Sequence, residues 1–208
     1  MLPHALALLN RHVKRFSGWP NCSMMELGDQ QIYCFPDFND GSPAKVYFEY
    51  LGIKRHVSID LNGMLGALPL DLSKPIDDPA FMGAFDMVTD LGTSEHVSPH
   101  VSGLYACRLN CHNWCREGGV MVFENPKTGN WSKHGHHYFT TEHYRLLSEA
   151  CDYDVLDLAD VPPVYFSDFL GHSPDRVEVI AVLRKLSGKP FVSFERYEQI
   201  CSSTVFRS

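Results

Sequence analysis

The chain has 208 residues, of which 44% are hydrophobic and 21% charged, with a formal net charge of −7. That length fits one domain of ordinary size, and that balance is the one at which a soluble chain buries a full core. An acidic chain without a Lys/Arg run repels phosphate backbones, which counts against general nucleic-acid binding.

Seven cysteines, Cys22, Cys34, Cys107, Cys111, Cys115, Cys151 and Cys201, are an odd number, and three of them recur every fourth residue. A secreted disulfide scaffold does not look like this, so reduced thiols and a cytoplasmic location are expected. Arg11, His12, Lys14 and Arg15 follow the first apolar stretch, the wrong order for a signal peptide, and no apolar run nears membrane-spanning length.

Leu2, Leu6, Leu9, Val13 and Phe16 share helical spacing, and Gly18 and Pro20 end that helix. It is expected to pack on the domain rather than to serve as a lid or dimer contact. Ser23–Gly28 reads as a strand entering a glycine turn, and an irregular stretch runs to Gly41. Ser42-Pro43 reads as an N-cap with proline at the first helical position, opening a helix to Leu51-Gly52. His56–Asp60 and Ala67–Asp71 are two further strands, each ending in an acid. Phe85–Asp90 is a fourth strand, followed by the loop Leu91-Gly92-Thr93. Ser98-Pro99 opens a helix to about Glu117 that Gly118-Gly119 stops. Val120–Glu124 is a fifth strand, Thr140 or Thr141 opens another helix, Val155–Leu158 is a sixth strand, and Val177–Leu183 is a late one. Strands alternating with helices predict a mostly parallel sheet covered on both faces, with its ligand beyond the carboxyl ends of the strands.

Chemistry gathers at those ends. Gly28 after the first strand permits close backbone approach, and Asp60 after the second can accept bonds from two ribose hydroxyls, a logic that serves NAD and S-adenosylmethionine alike. The dinucleotide fingerprint needs three glycines for a pyrophosphate, but Gly28 is followed by Asp29 and Gln30, which disfavours a nucleotide-dependent oxidoreductase and favours a cationic ligand with one ribose.

In the order of these pieces the chain resembles the class I S-adenosylmethionine-dependent methyltransferases, from about Ser23 to about Lys185. Glu26-Leu27-Gly28 resembles the first motif, Ser58-Ile59-Asp60 the second, Leu70-Asp71-Leu72 the third and Phe85–Asp90 the fourth; Glu117–Val122 resembles the entry to the fifth strand. The resemblance implies a Rossmann-like, mostly parallel seven-stranded sheet with helices on both faces and an antiparallel edge strand at Val177. Residues 1–20 would form a helix packed on a methyltransferase-like domain of residues 21–208. It also implies S-adenosyl-L-methionine bound by Glu26, Gly28, Asp60, Asp71, Leu72, Asp90 and Gly92. Gly28 would lie against the methionine part, Asp60 would hold the ribose, Asp71 would reach the adenine amino group with Leu72 beside the ring, and Asp90 and Gly92 would face the reacting methyl. The first motif departs from the family in lacking its second and third glycines, and Gln31–Asp40 lengthens the turn into the helix.

Asp90–His96 falls where the family places the acceptor. A hydroxyl acceptor needs a base, and His96 titrates nearest neutrality, with Glu95 as the alternative base or the group orienting it. Thr93, His134 and His136 are expected to contact the acceptor. The histidines around Gly135 lack cysteine or carboxylate partners at zinc spacing nearby, so no metal is expected. Cys107, Cys111 and Cys115 are expected to be core residues on one helix face. The expectation is a transferase acting on a small polar molecule through a hydroxyl, with no nucleic-acid or membrane partner and a homodimer left open. The alternative is a catalytically inactive, regulatory binding protein of the same fold.

Overall fold

In the computed structural model, which describes residues 3–32, 41–129, 131, 133–161 and 176–207, strand β1 (Ser23–Leu27) is buried along its whole length. Its side chains alternate between two cores. Met25 and Leu27 join one cluster and Met24 joins the other. That alternation is the pleat of a strand covered on both faces.

Around β1 run β4 (Arg55–Ile59), β5 (Phe85–Leu91), β6 (Cys115–Pro126), β8 (Tyr153–Val161) and β9 (Glu178–Lys185), in the sheet order β4-β1-β5-β6-β9-β8. The first four are parallel, and β9 is antiparallel to both of its neighbours. Two small antiparallel pairs lie outside this sheet: β2 (Gln31–Ile32) with β3 (Ser42–Pro43), and β7 (His137–Phe139) with β10 (Val205–Arg207).

Helices α3 (Val101–Trp114), α4 (Thr141–Cys151) and α5 (Phe194–Thr204) cover one face through Leu104, Cys111, Tyr144, Leu147 and Tyr197. Helices α1 (Pro3–His12) and α2 (Ala44–Tyr50) cover the other. In α1, Ala5, Leu6, Leu8 and Leu9 are buried, and each leucine so placed contributes about 1.5–3 kcal/mol. Polar contacts fix both ends of α1. His4 Nε2 lies 2.8 Å from Glu124 of β6, and His12 Nε2 lies 2.6 Å from Asp157 of β8. Thr140 and Ser193 cap α4 and α5, each accepting the N–H three residues on.

Four expectations change. Among the described residues the main sheet has six strands, and Ala67–Asp71 contributes a single parallel bridge, Ile59 to Leu68. Pro69 follows at once and has no N–H to extend the ladder. The late strand β9 is antiparallel as expected but interior, and β8 takes the edge. Ser42-Pro43 pairs as β3, so α2 begins at Ala44. Helix α3 ends at Trp114, where Lys185 Nζ donates to the carbonyls of His112 and Cys115, and Cys115 opens β6 rather than extending the helical cysteine face. Gly118 and Gly119 belong to an irregularity in β6; a Cβ on Gly119 would stand 2.9 Å from the Asp86 carbonyl.

Leu2, Cys34 and positions 33–40 of the irregular stretch lie outside the described residues. Among the described residues no helix is long and apolar enough to cross a membrane.

Candidate functional site

The parallel strands bring their carboxyl ends into one row. Leu27 pairs with Ile59 and with Asp90, and Leu91 with Glu124. The residues that follow these ends, Gly28, Asp60, Gly92 and Asn125, therefore gather at one edge of the sheet, where an open α/β sheet binds ligands.

Asp90 organises the loop after β5. It is fully buried, and its Oδ1 accepts the N–H groups of Thr93 (3.2 Å) and Ser94 (2.9 Å), setting a short 3₁₀ turn over Ser94–His96. Its Oδ2 accepts from Arg108 at 2.6 Å and from Asn125 at 3.2 Å. Arg108 is fully buried too. It donates to Asn125 Oδ1 (2.9 Å) and to the Tyr144 hydroxyl (3.0 Å), with its guanidinium 4.4 Å from the Phe123 ring centre. Tyr144 in turn donates to Asn125 Oδ1. Burial is the largest influence on the Tyr144 hydroxyl and pushes its pKa up, which keeps it a donor.

With its carbonyl oxygen so occupied, Asn125 points its amide hydrogens at Asp90, at Ser94 Oγ (3.3 Å) and at Glu95 Oε2 (3.1 Å). Glu95 is 1% exposed, and Nε2 of His96 and Nε2 of His134 each lie 3.7 Å from its Oε1. The loop carrying His134 rests on Glu95. The His136 N–H donates to the Glu95 carbonyl at 2.8 Å, and a Cβ on Gly135 would stand 2.9 Å from Glu95 Cγ. Burial is the main cause that lowers the His96 pKa, with His134 and His136 acting in the same direction against Glu95.

A cleft of about 160 Å³ is lined by Asp60, Leu61, Leu70, Asp71, Leu72, Thr93, His96 and Val97. A second hollow, lined by His96, Lys133, His134, Gly135 and His136, shares His96 with it. The fold thus brings Asp60, Asp71, Leu72, Thr93 and His96 to one cleft, and His96, His134 and His136 to the next. Asp60 accepts the N–H groups of Asp29 (3.2 Å) and Asn62 (3.0 Å). Asp71 accepts from Ser73 and pairs with Lys74 at 2.9 Å, and these partners, Ser73 foremost, hold its carboxyl below the usual range.

Glu26, Gly28, Asp90 and Gly92 do not line that cleft. Glu26 is buried 3.3 Å from His56 Nε2, on the face covered by α2, and burial raises its pKa. Gly28, at φ +81°, faces the protein's own Thr93: an added Cβ would meet Thr93 Oγ1 at 2.3 Å, and that hydroxyl donates to the Leu27 carbonyl. Gly92, at φ +79°, donates its N–H to the Glu124 carbonyl, with the Glu95 carboxylate 3.5 Å from where its Cβ would be. Asp90 is spent on Arg108 and the loop backbone. Sequence reading missed Arg108, Asn125 and Tyr144. Arg108 alone left a trace, a cation four residues after Leu104 on an otherwise apolar helix face.

The apolar walls (Leu61, Leu70, Leu72, Val97) with carboxylates at the rim suit a flat ring bearing hydroxyl and amine donors, and the acids suit a cation. Thr93 occupies the space over Gly28.

No family model matches this chain, and no curated protein matches it. Solved structures do. The 1,6-didemethyltoxoflavin-N1-methyltransferase of Burkholderia thailandensis, with S-adenosylhomocysteine bound, aligns over 89% of this chain and 78% of its own at TM-score 0.62 and 16% identity. The N-methyltransferase NodS of Bradyrhizobium japonicum WM9, also with S-adenosylhomocysteine, aligns over 88% and 86% at TM-score 0.60 and 16% identity. The geranyl diphosphate C-methyltransferase of Streptomyces coelicolor A3(2) aligns over 87% and 81% at TM-score 0.59 and 11% identity. At these identities the likeness is one of architecture, and the chain has the Rossmann-like α/β fold of S-adenosylmethionine-dependent methyltransferases.

Proposed function

We propose that this chain is an S-adenosyl-L-methionine-dependent methyltransferase acting on a small polar acceptor through a hydroxyl. The observation that carries the reading is the convergence of Asp60, Asp71, Leu72, Thr93 and His96, from separate strand ends, on one cleft that shares His96 with a second hollow lined by His134 and His136. The three solved proteins of this fold named above are methyltransferases acting at nitrogen or carbon; the hydroxyl rests on the residues of this chain.

The cofactor supplies a methyl group on a sulfonium, an electrophile that needs only an aligned nucleophile. Asp60 and Asp71 would hold its hydroxyl and amino donors, and Leu72 would lie against the ring. His96, neutral at pH 7 because burial disfavours its cation, accepts a proton from the acceptor hydroxyl, and Glu95 stabilises the imidazolium that results. Thr93, His134 and His136 offer polar contacts to the acceptor. The acidic balance of the chain works against a polyanionic acceptor such as DNA or RNA. A second reading, a protein that binds the cofactor without catalysis, is favoured by one observation: Thr93 fills the space over Gly28.

Calorimetric titration with S-adenosylhomocysteine tests the cleft. The wild type is expected to bind, and Asp60→Ala to weaken binding about ten- to a hundredfold, the worth of one charge-assisted hydrogen bond. No binding by the wild type sinks the reading.

A further inference from the structure

Glu95 and His96 come from the loop after β5, and His134 from the loop after β6. Sequence spacing offered the histidines around Gly135 no carboxylate partner; the fold supplies His134 with one from 39 positions upstream. The Nε2 atoms of His96 and His134 both lie 3.7 Å from the same oxygen, Glu95 Oε1, and the three atoms fall within 4.8 Å of one another. That separation is too long for a hydrogen bond. It is close to the ~3.4 Å edge of a tetrahedron drawn with ligand atoms about 2.0–2.1 Å from a zinc ion.

The carboxylate is also prepared on its far side. Glu95 is buried, and its Oε2 accepts from Asn125 Nδ2 at 3.1 Å. Asn125 cannot turn, because its own oxygen accepts from both Arg108 and Tyr144. This is the arrangement by which an outer residue aims a ligand. The imidazoles are partly exposed, with side-chain accessibilities of 46% for His96 and 35% for His134, so positions on the outer side stay open toward both hollows.

We infer that Glu95, His96 and His134 form a site for one divalent transition-metal ion, with open coordination positions facing the cleft. Two imidazoles and one carboxylate select a borderline ion such as Zn²⁺ over Mg²⁺ or Ca²⁺, which prefer all-oxygen sites. The site stands on geometry alone; only the ion's role rests on the methyl-transfer reading. In that role an acceptor hydroxyl bound at an open position is acidified there, in place of proton removal by His96. The proton leaves to water, the oxygen pair forms the bond to the methyl carbon, and the carbon–sulfur pair stays on sulfur.

The test is a titration of chelator-treated full-length protein with Co²⁺, followed by its visible absorption, and with Zn²⁺ by competition. The expected result is one ion per chain at micromolar affinity or tighter. Glu95→Gln and His134→Ala should each weaken it at least about tenfold, and His100→Ala, an exposed histidine outside the cluster, should leave it unchanged. His134 is exposed, so its variant reports on the site even if Glu95→Gln fails to fold. No uptake by the wild type, or uptake indifferent to His134→Ala, overturns the inference. S-adenosylhomocysteine binding to the same preparation reports separately on the cleft, so retained cofactor binding without ion uptake refutes the ion site and spares the methyl-transfer reading.

Discussion

Arg108→Met removes the cation at the centre of the network beneath the site. Arg108 and Asp90 are both fully buried and 2.6 Å apart, so the substitution leaves a carboxylate without its counter-charge in a place water does not reach. Truncating one partner of such a pair costs about 3–5 kcal/mol. The lower end applies here, because the Thr93, Ser94 and Asn125 N–H groups still reach Asp90. At about 2–4 °C per kcal/mol for a chain of this length, the melting temperature should fall by roughly 6–12 °C. Asp90→Asn keeps the shape and strands the guanidinium instead, and should cost a similar amount. The double variant should cost less than the sum of the two, since neither charge is then left alone. Urea denaturation of all four proteins, followed by far-UV circular dichroism, measures the cycle. Single losses under about 1 kcal/mol, or strict additivity in the double variant, would show that the pair is not what holds the 93–96 loop.

His96→Ala should lower S-adenosylhomocysteine release, assayed against a panel of hydroxyl acceptors, by about 10²–10⁴ while leaving cofactor affinity nearly intact; equal losses in both quantities point to a structural role. Gly28→Ala should destabilise by about 1–3 kcal/mol, because alanine resists φ +81° and its Cβ meets Thr93. Adding Thr93→Ser should recover little of that loss, since Oγ remains, whereas Thr93→Ala should recover the steric part, as thermal melts would show. The His112 ring, buried 2.6 Å from the Tyr153 hydroxyl, has its pKa lowered from 6.5 to about 4, chiefly by burial. A depressed histidine stays neutral in the folded chain while the unfolded chain takes up the proton. Its contribution is thus complete above pH 6.5 and lost as pH falls toward 4, by at most about 3 kcal/mol. His112→Asn should flatten the stability–pH curve in that window, and an unchanged slope would contradict the assignment.

The strands and the site edge were readable where one residue type has one physical use. Apolar runs ending in Asp60 or in Leu91-Gly92 fixed β4 and β5 and the row of strand ends, and the pair Thr140-Thr141 announced α4, with Thr140 the residue that caps it. Spacing failed where a distant partner decides. Lys185 closes α3 at Trp114 from 71 positions away, and Pro69 cuts the Ala67–Asp71 strand to one bridge. The resemblance to the family set Asp90 facing the reacting methyl of the cofactor. Only the buried Arg108, on a helix that reads as apolar, turns that acid inward. Glu95 and His96 were singled out together from the sequence, and His134 apart from them. Their meeting depends on Asn125 and on Gly135, which lets a second loop lie against Glu95.

The cysteines give the fold a reporter of its own motions. Cys22, Cys107, Cys111, Cys115, Cys151 and Cys201 are all buried and unpaired, and burial holds Cys22, Cys115 and Cys201 at pKa values of about 12. An alkylating reagent therefore finds no path to these buried thiols, and reaction must wait for the chain to open. With Cys34 changed to serine, the rate at which each remaining thiol is captured becomes a clock for the opening of its own neighbourhood. Cys22 reports on the layer beneath α1 and α2, Cys107 and Cys111 on α3, and Cys201 on α5. Capture of Cys201 well before Cys22 would mean that the two layers of the sheet come apart independently.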